Sequence, residues 1–133
     1  MVNGYGFSLR SVIYIIDMKS ELAEYSIDFS LRIVSYYRWL IENKHEFVMS
    51  KQVLRSGTSI GANVHEAMYA VSRADFINKM QIAAKEACET DYWLLILERS
   101  GYFDTSFNDI RQLLSSIRKM LTATLNTSKQ KRE

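Results

Sequence analysis

Residues 72–101, SRADFINKMQIAAKEACETDYWLLILERSG, decide the fold. Phe76, Met80, Ala83, Ala87, Thr90, Leu94 and Leu97 recur at alternating spacings of four and three through three heptads. That is the repeat of a helix laying one apolar seam against its neighbours. Ser72 with Asp75 three residues later resembles a capping box, although the usual partner is Glu or Gln, and Gly101 supplies a stop.

The same period extends in both directions. Upstream, a helix over roughly 48–71 carries Val53, Gly57, Ile60, Val64, Ala67 and Val71 in a heptad seam. A first helix over roughly 20–44 carries two apolar stripes, one of Ile27, Leu31, Val34 and Ile41 and another of Phe29, Ile33, Tyr36 and Leu40. Downstream, Ser106 with Asp109 opens a fourth helix with Ile110, Leu113, Leu114, Ile117, Met120 and Leu121 on its apolar face. Proline, which breaks helix interiors, is absent from all 133 residues. Short connections make successive helices antiparallel, so the expected fold is all-α, an up-down four-helix bundle over 20–126, with the third and fourth helices flanking the second.

Residues 1–19 lack this period and read as an N-terminal extension, a loosely attached element ahead of a candidate start at Met18. The apolar run Val12-Ile13-Tyr14-Ile15-Ile16 ends at Asp17, far short of a membrane span and without the cleavage site of a secretory signal. No membrane attachment is expected. Residues 127–133 form a basic polar tail. A single cysteine, Cys88, excludes an internal disulfide and suits a reducing cytoplasm; its place among apolar neighbours predicts a small buried thiol.

Charge separates along the chain. Residues 17–110 hold ten Lys and Arg against fourteen Asp and Glu, a net of −4, whereas residues 111–133 hold six against one, a net of +5. The overall +2 excludes nucleic-acid binding by bulk charge, so any phosphate-binding surface must be local. Its candidates are Arg111, Arg118, Lys119, Lys129, Lys131 and Arg132. The same residues also complement a helix dipole and solvate a terminus.

Two glycines inside the second helix, Gly57 and Gly61, each cost about 1 kcal/mol relative to alanine and demand a compensation. A phosphate-cradling P-loop is excluded because Ala62-Asn63 follows the second glycine where Lys and a hydroxyl residue belong. Bare backbone permitting close helix approach is the remaining reading. Beside the seams lie Arg55, Asn63 and Glu66 on the second helix and Glu86 and Glu89 on the third. They read as a structural polar network in which Arg55 and the Asn63 amide satisfy Glu86, since an unpartnered carboxylate shielded from water is costly.

Metal and cofactor chemistry find no pattern. A di-iron bundle needs Glu-x-x-His on two helices, and only Glu42 to His45 has that spacing, in a charge run at a helix end; His65 projects away from its seam. Neither a metal site nor a cofactor is expected. Trp39, Tyr36, Tyr37, Tyr92 and Trp93 exceed what one thin bundle encloses, so Tyr36, Tyr37 and Tyr92 are candidates for an interface between subunits.

The run Lys51-Gln52-Val53-Leu54-Arg55-Ser56-Gly57-Thr58-Ser59-Ile60-Gly61-Ala62-Asn63, followed by Glu66-Ala67, resembles the signature of the bacterial four-helix bundle proteins named for open reading frames in intervening sequences of 23S rRNA genes. The match continues through Ser72, Asp75-Phe76-Ile77, Lys79, Lys85-Glu86-Ala87 and Glu89-Thr90-Asp91-Tyr92-Trp93-Leu94, and starts earlier at Ser26, Phe29 and Leu31-Arg32-Ile33. It covers about residues 20–121; Val53 stands where leucine is usual. The resemblance implies an up-down bundle assembling as a ring-like homopentamer without established enzymatic activity. It also implies a distant relationship to the accessory protein of diversity-generating retroelements, a pentamer that binds nucleic acid and a reverse transcriptase. Two functions follow as expectations: a homo-oligomeric scaffold associating with RNA or DNA through its basic C-terminal residues, or a scaffold for a protein partner. An enzyme using Glu86 and Glu89 is the disfavoured third.

Overall fold

The computed structural model describes residues 8–130, the side chains of 11–20 excepted. It contains four α-helices, α1 (Leu9–Asn43), α2 (Met49–Ala67), α3 (Arg73–Arg99) and α4 (Asp109–Lys129), with a 3-10 turn at Thr105–Phe107 and no strand among the described residues. No helix among them is long and apolar enough to cross a membrane. α2 packs on α1 and α3, and α4 packs on α3 and α1, closing a cycle around one core. The second helix is therefore flanked by the first and third, and the expectation that α3 and α4 flank it is corrected. A closed cycle of sequence neighbours leaves α4 opposite α2.

The expected seams build the core. Phe29, Ile33, Tyr36 and Leu40 of α1, Val53, Ile60 and Val64 of α2, Met80, Ala87, Leu94 and Leu97 of α3, and Ile110, Ile117 and Leu121 of α4 are all buried. Val71 is not among them: α2 ends at Ala67 and the chain turns, leaving Val71 85% exposed. Cys88 is exposed, not buried, because it stands one residue, about 100° of helix, beyond the seam position Ala87.

Helix ends follow local chemistry. Ser72 is in extended conformation and accepts a hydrogen bond from the Asp75 amide at 3.0 Å, while Gly101 adopts φ 85° after α3. α2 is capped by a residue outside it. The Glu46 carboxylate accepts from the Val48 and Met49 amides at 2.9 and 2.6 Å, satisfying donors that no helical carbonyl reaches. The fourth helix starts differently from expectation: Asp104 takes the Ser106 amide at 3.0 Å, and Asp109 turns to α1 instead of closing a box with Ser106.

Regular structure runs past residues 20 and 126 at the two ends. α1 begins at Leu9, so the helical conformation of the first helix runs through residues 9–19. Once a helix is anchored by packing, proline-free sequence extends it without a new nucleation cost. At the other end, Ser128 is fully buried and its carbonyl accepts from Arg73 Nε at 2.7 Å, while the Gln130 carbonyl accepts from Arg73 Nη2 at 2.8 Å. The start of the expected tail is thus docked on α3.

Candidate functional site

Three surfaces carry the residues singled out by the sequence. On the first, α2 meets α3. Pairs of residues rise along one helix as they fall along the other: Arg55 with Glu86 and Glu89, and Glu66 with Lys79. Arg55 Nη1 lies 3.2 Å from Glu86, and its Nη2 donates to Glu89, which also accepts from the Trp93 indole at 3.1 Å. The indole bond and the Arg55 guanidinium hold the Glu89 carboxyl below its ordinary range, and the Glu89 bond in turn raises Arg55. Beneath them, Thr90 Oγ1 donates to the Glu86 carbonyl at 2.7 Å and shares a 3.0 Å hydrogen bond with the buried Ser56 hydroxyl.

Two members of the expected network stand elsewhere. The Asn63 amide donates to the Ser59 carbonyl one turn back at 2.8 Å, not to Glu86, because its own helix offers a nearer acceptor. Glu66 pairs with Lys79 at 3.2 Å, toward the far end of the helix pair. Opposite this surface, α1 approaches the bare backbone of α2. A Cβ at Gly57 would stand 3.0 Å from both Cγ atoms of Ile33, and one at Gly61 would stand 3.3 Å from Ser26 Oγ.

The second surface is the basic edge of α4. Arg111 reaches Glu98 at 3.0 Å and Asp91 at 3.2 Å, and Arg118 reaches the other Asp91 oxygen at 3.6 Å. Lys119 and Lys129 are exposed and make no ion pair with a described carboxylate, while Lys131 and Arg132 lie outside the described residues. Along α4 where it meets α3 runs an open groove of about 700 Å³, lined by Leu114 and Ala123 with Arg111, Arg118 and Lys119 and, from α3, the carboxylate of Asp91.

The third surface is the outer face of α1. Ile27 and Leu31 are 52% and 62% exposed, with Val34 and Ile41 half-buried. These positions follow a four-three spacing on the side roughly opposite the core stripe, in a row that also holds the exposed Glu24 and Arg38. One edge of the stripe carries Glu21, Asp28, Ser35 and Glu42 at seven-residue intervals, all exposed. Its other edge, Ala23, Ser30 and Tyr37, is half-buried and uncharged.

The aromatic surplus is partly resolved inside the fold. Tyr36, expected at an interface, is fully buried: its hydroxyl donates to the Tyr102 carbonyl at 2.6 Å, and its ring packs on Trp39, Phe103 and Phe107. The segment between α3 and α4 folds over α1 and encloses rings that the four helices alone would leave out. Burial pushes the Tyr36 phenol well above its ordinary pKa. Tyr37 is half-buried and Tyr92 is 55% exposed.

Sequence reasoning missed the clamp that ties α1 to the start of α4. Arg32 donates through Nε and Nη2 to both Asp109 oxygens at 2.8 Å and through Nη2 to the Ser106 carbonyl at 2.8 Å. Its only signal was an arginine beside the core residue Ile33. Glu42 and His45 are exposed where α1 gives way to the following turn, and among the described residues no three His, Cys, Asp or Glu side chains converge as metal ligands.

Comparison with known proteins adds to this geometry. The family model described as 23S rRNA-intervening sequence protein matches residues 18–123. A crystal structure of a protein of unknown function from Bacteroides thetaiotaomicron, assigned to the S23 ribosomal protein family, is 47% identical, with a TM-score of 0.79 over 82% of this chain and 98% of that one. No curated protein matches the chain.

Proposed function

The chain belongs to the 23S rRNA-intervening sequence protein family, and we propose that it works there as a non-enzymatic, self-associating helical scaffold of the cytoplasm. The observation that carries this reading is the second apolar stripe of α1. Leu31 at 62% and Ile27 at 52% exposure sit in a heptad-spaced row that the subunit's own helices leave partly uncovered. Such a row marks an association surface. The antiparallel sense of the paired residues supports an up-down subunit, and the sequence resemblance supports a ring of five.

Two further observations favour a scaffold. Glu89 is held ionised by Trp93 and Arg55, which disfavours it as a proton donor. Arg111 and Arg118 already share Asp91, so each phosphate contact through them must displace an internal ion pair. The nucleic-acid reading therefore rests on Lys119, Lys129 and the last residues of the chain, and a protein-binding scaffold is the better supported of the two.

Light scattering of the full chain at micromolar concentration tests the proposal. A mass several times 15.5 kDa is expected, and Ile27→Glu/Leu31→Glu, at exposed positions, should lower it without unfolding the subunit. A monomeric wild-type protein would refute self-association.

A further inference from the structure

We infer that the outer stripe of α1 is received by the groove along α4, where it meets α3, of a second copy, a contact between two different faces that turns from subunit to subunit. This pairing rests on the self-association proposed above and adds which surfaces meet. Charge selects them. If the α1 stripe packed antiparallel on its own copy, equivalent edges would face each other, setting Glu21, Asp28 and Glu42 against the same acidic residues, while Arg38, the one cation in the row, is matched by the row's own Glu24 and leaves those edges uncompensated. Like charges in that geometry are destabilising. A parallel pairing would set the acidic edge against Ala23, Ser30 and Tyr37, which offer it no cation.

The groove offers what the stripe lacks. Its lining is apolar at Leu114 and Ala123, its volume is about 700 Å³, and it sets three cations, Arg111, Arg118 and Lys119, against one carboxylate, Asp91, leaving it net positive. Arg111 and Arg118 share Asp91, so the cation free to meet a partner's carboxylates is Lys119, exposed and engaged by no described carboxylate. An acidic-edged apolar ridge and a net-positive groove with an apolar lining are complementary in sign. The two faces are also unlike, one lying on α1 and the other formed by α4 with Asp91 of α3. A contact between unlike faces generates a ring when its rotation closes, whereas a contact between like faces stops at a pair.

Two variants and their mixture test the pairing. Ile27→Glu/Leu31→Glu spoils the ridge, and Arg118→Glu/Lys119→Glu spoils the groove rim. All four positions are surface positions, and circular dichroism with a thermal melt verifies each fold; if Arg118→Glu disturbs its contact with Asp91, Lys119→Glu alone replaces the second variant. Each variant by itself should have the monomer mass. Mixed in equimolar amounts, they retain one good ridge and one good groove between them, so they should form a heterodimer of twice 15.5 kDa and nothing larger. A rim variant that keeps the wild-type mass would overturn the groove as the receiving face. A mixture that stays monomeric would show that ridge and groove do not meet each other. A monomeric wild-type protein would instead remove self-association itself, an outcome distinct from both.

Discussion

Gly57→Ala measures the approach of α1 to α2. In an exposed helix interior this change stabilises by about 1 kcal/mol, because alanine carries less backbone entropy into the helix. Here the new Cβ would meet Ile33 Cγ1 and Cγ2 at 3.0 Å and Cδ1 at 3.3 Å, against ordinary carbon contacts of about 3.5–4.0 Å. Ile33 is fully buried and β-branched, so it has little room to turn aside. Overpacking of this kind costs about 1–3 kcal/mol, and the net expectation is a destabilisation of about 1 kcal/mol. Urea titration gives the midpoint shift at constant slope. The coupled test compares Gly57→Ala in wild type and in Ile33→Ala: the truncated background, itself weakened by about 2–5 kcal/mol, should turn the same substitution stabilising. Gly61→Ala is the internal control, since its Cβ would stand 3.3–3.4 Å from Ser26 atoms, and it should be close to neutral. If Gly57→Ala raises stability by the full alanine increment in wild type, the close-approach argument fails.

Three further outcomes follow from named contacts. Glu46→Ala strips α2 of the carboxylate that accepts its first amides and should cost about 1–2 kcal/mol by thermal or urea unfolding; an unchanged midpoint would mean that solvent caps the helix equally well. Asp109 is held below its ordinary pKa by its hydrogen bonds from Arg32. Its stabilising contribution is complete above the unfolded carboxyl pKa, about 3.9, and is lost as pH falls through the lower folded value; Asp109→Asn should flatten that acid limb, and an identical acid profile would show the clamp to be energetically silent. Asp91→Asn releases Arg118 and leaves Arg111 held by Glu98 alone, and should strengthen retention on single-stranded RNA at low salt and steepen its salt dependence; equal retention by both proteins would show that the Asp91 ion pairs do not restrain phosphate contact.

The helices were legible because their seams are periodic. α3 was read with its cap at Ser72 and its stop at Gly101, and both are in place. What periodicity cannot encode is which helix meets which, and the placement of α2 between α1 and α3 depends on the tertiary cycle. Nor can it bound a helix whose sequence merely tolerates extension, as at Leu9–Lys19, where no residue breaks the chain. Glu46 escaped notice for a similar reason: it caps α2 from within a charged run, ahead of the helix, and a carboxylate there reads equally well as solvated.

Polar residues were legible as a set, but their pairing was not. Arg55, Glu86 and Glu89 were placed together from helical projection, and the contacts join them; Asn63 lies on the same flank, yet its amide takes the nearest carbonyl of its own turn. Projection fixes direction and leaves reach undetermined. The aromatic count failed in a different way, because it treated four helices as the whole enclosure and omitted Phe103 and Phe107, which close over Tyr36. Removing Tyr36 from the surface sharpens the case for association. Among the described residues of α1 the exposed large hydrophobics are aliphatic, Leu9, Ile27 and Leu31, and the last two are bordered on one side by carboxylates. A partner must bring both an apolar floor and positive charge to that border, and this requirement is stricter than any that surplus aromatic rings would impose.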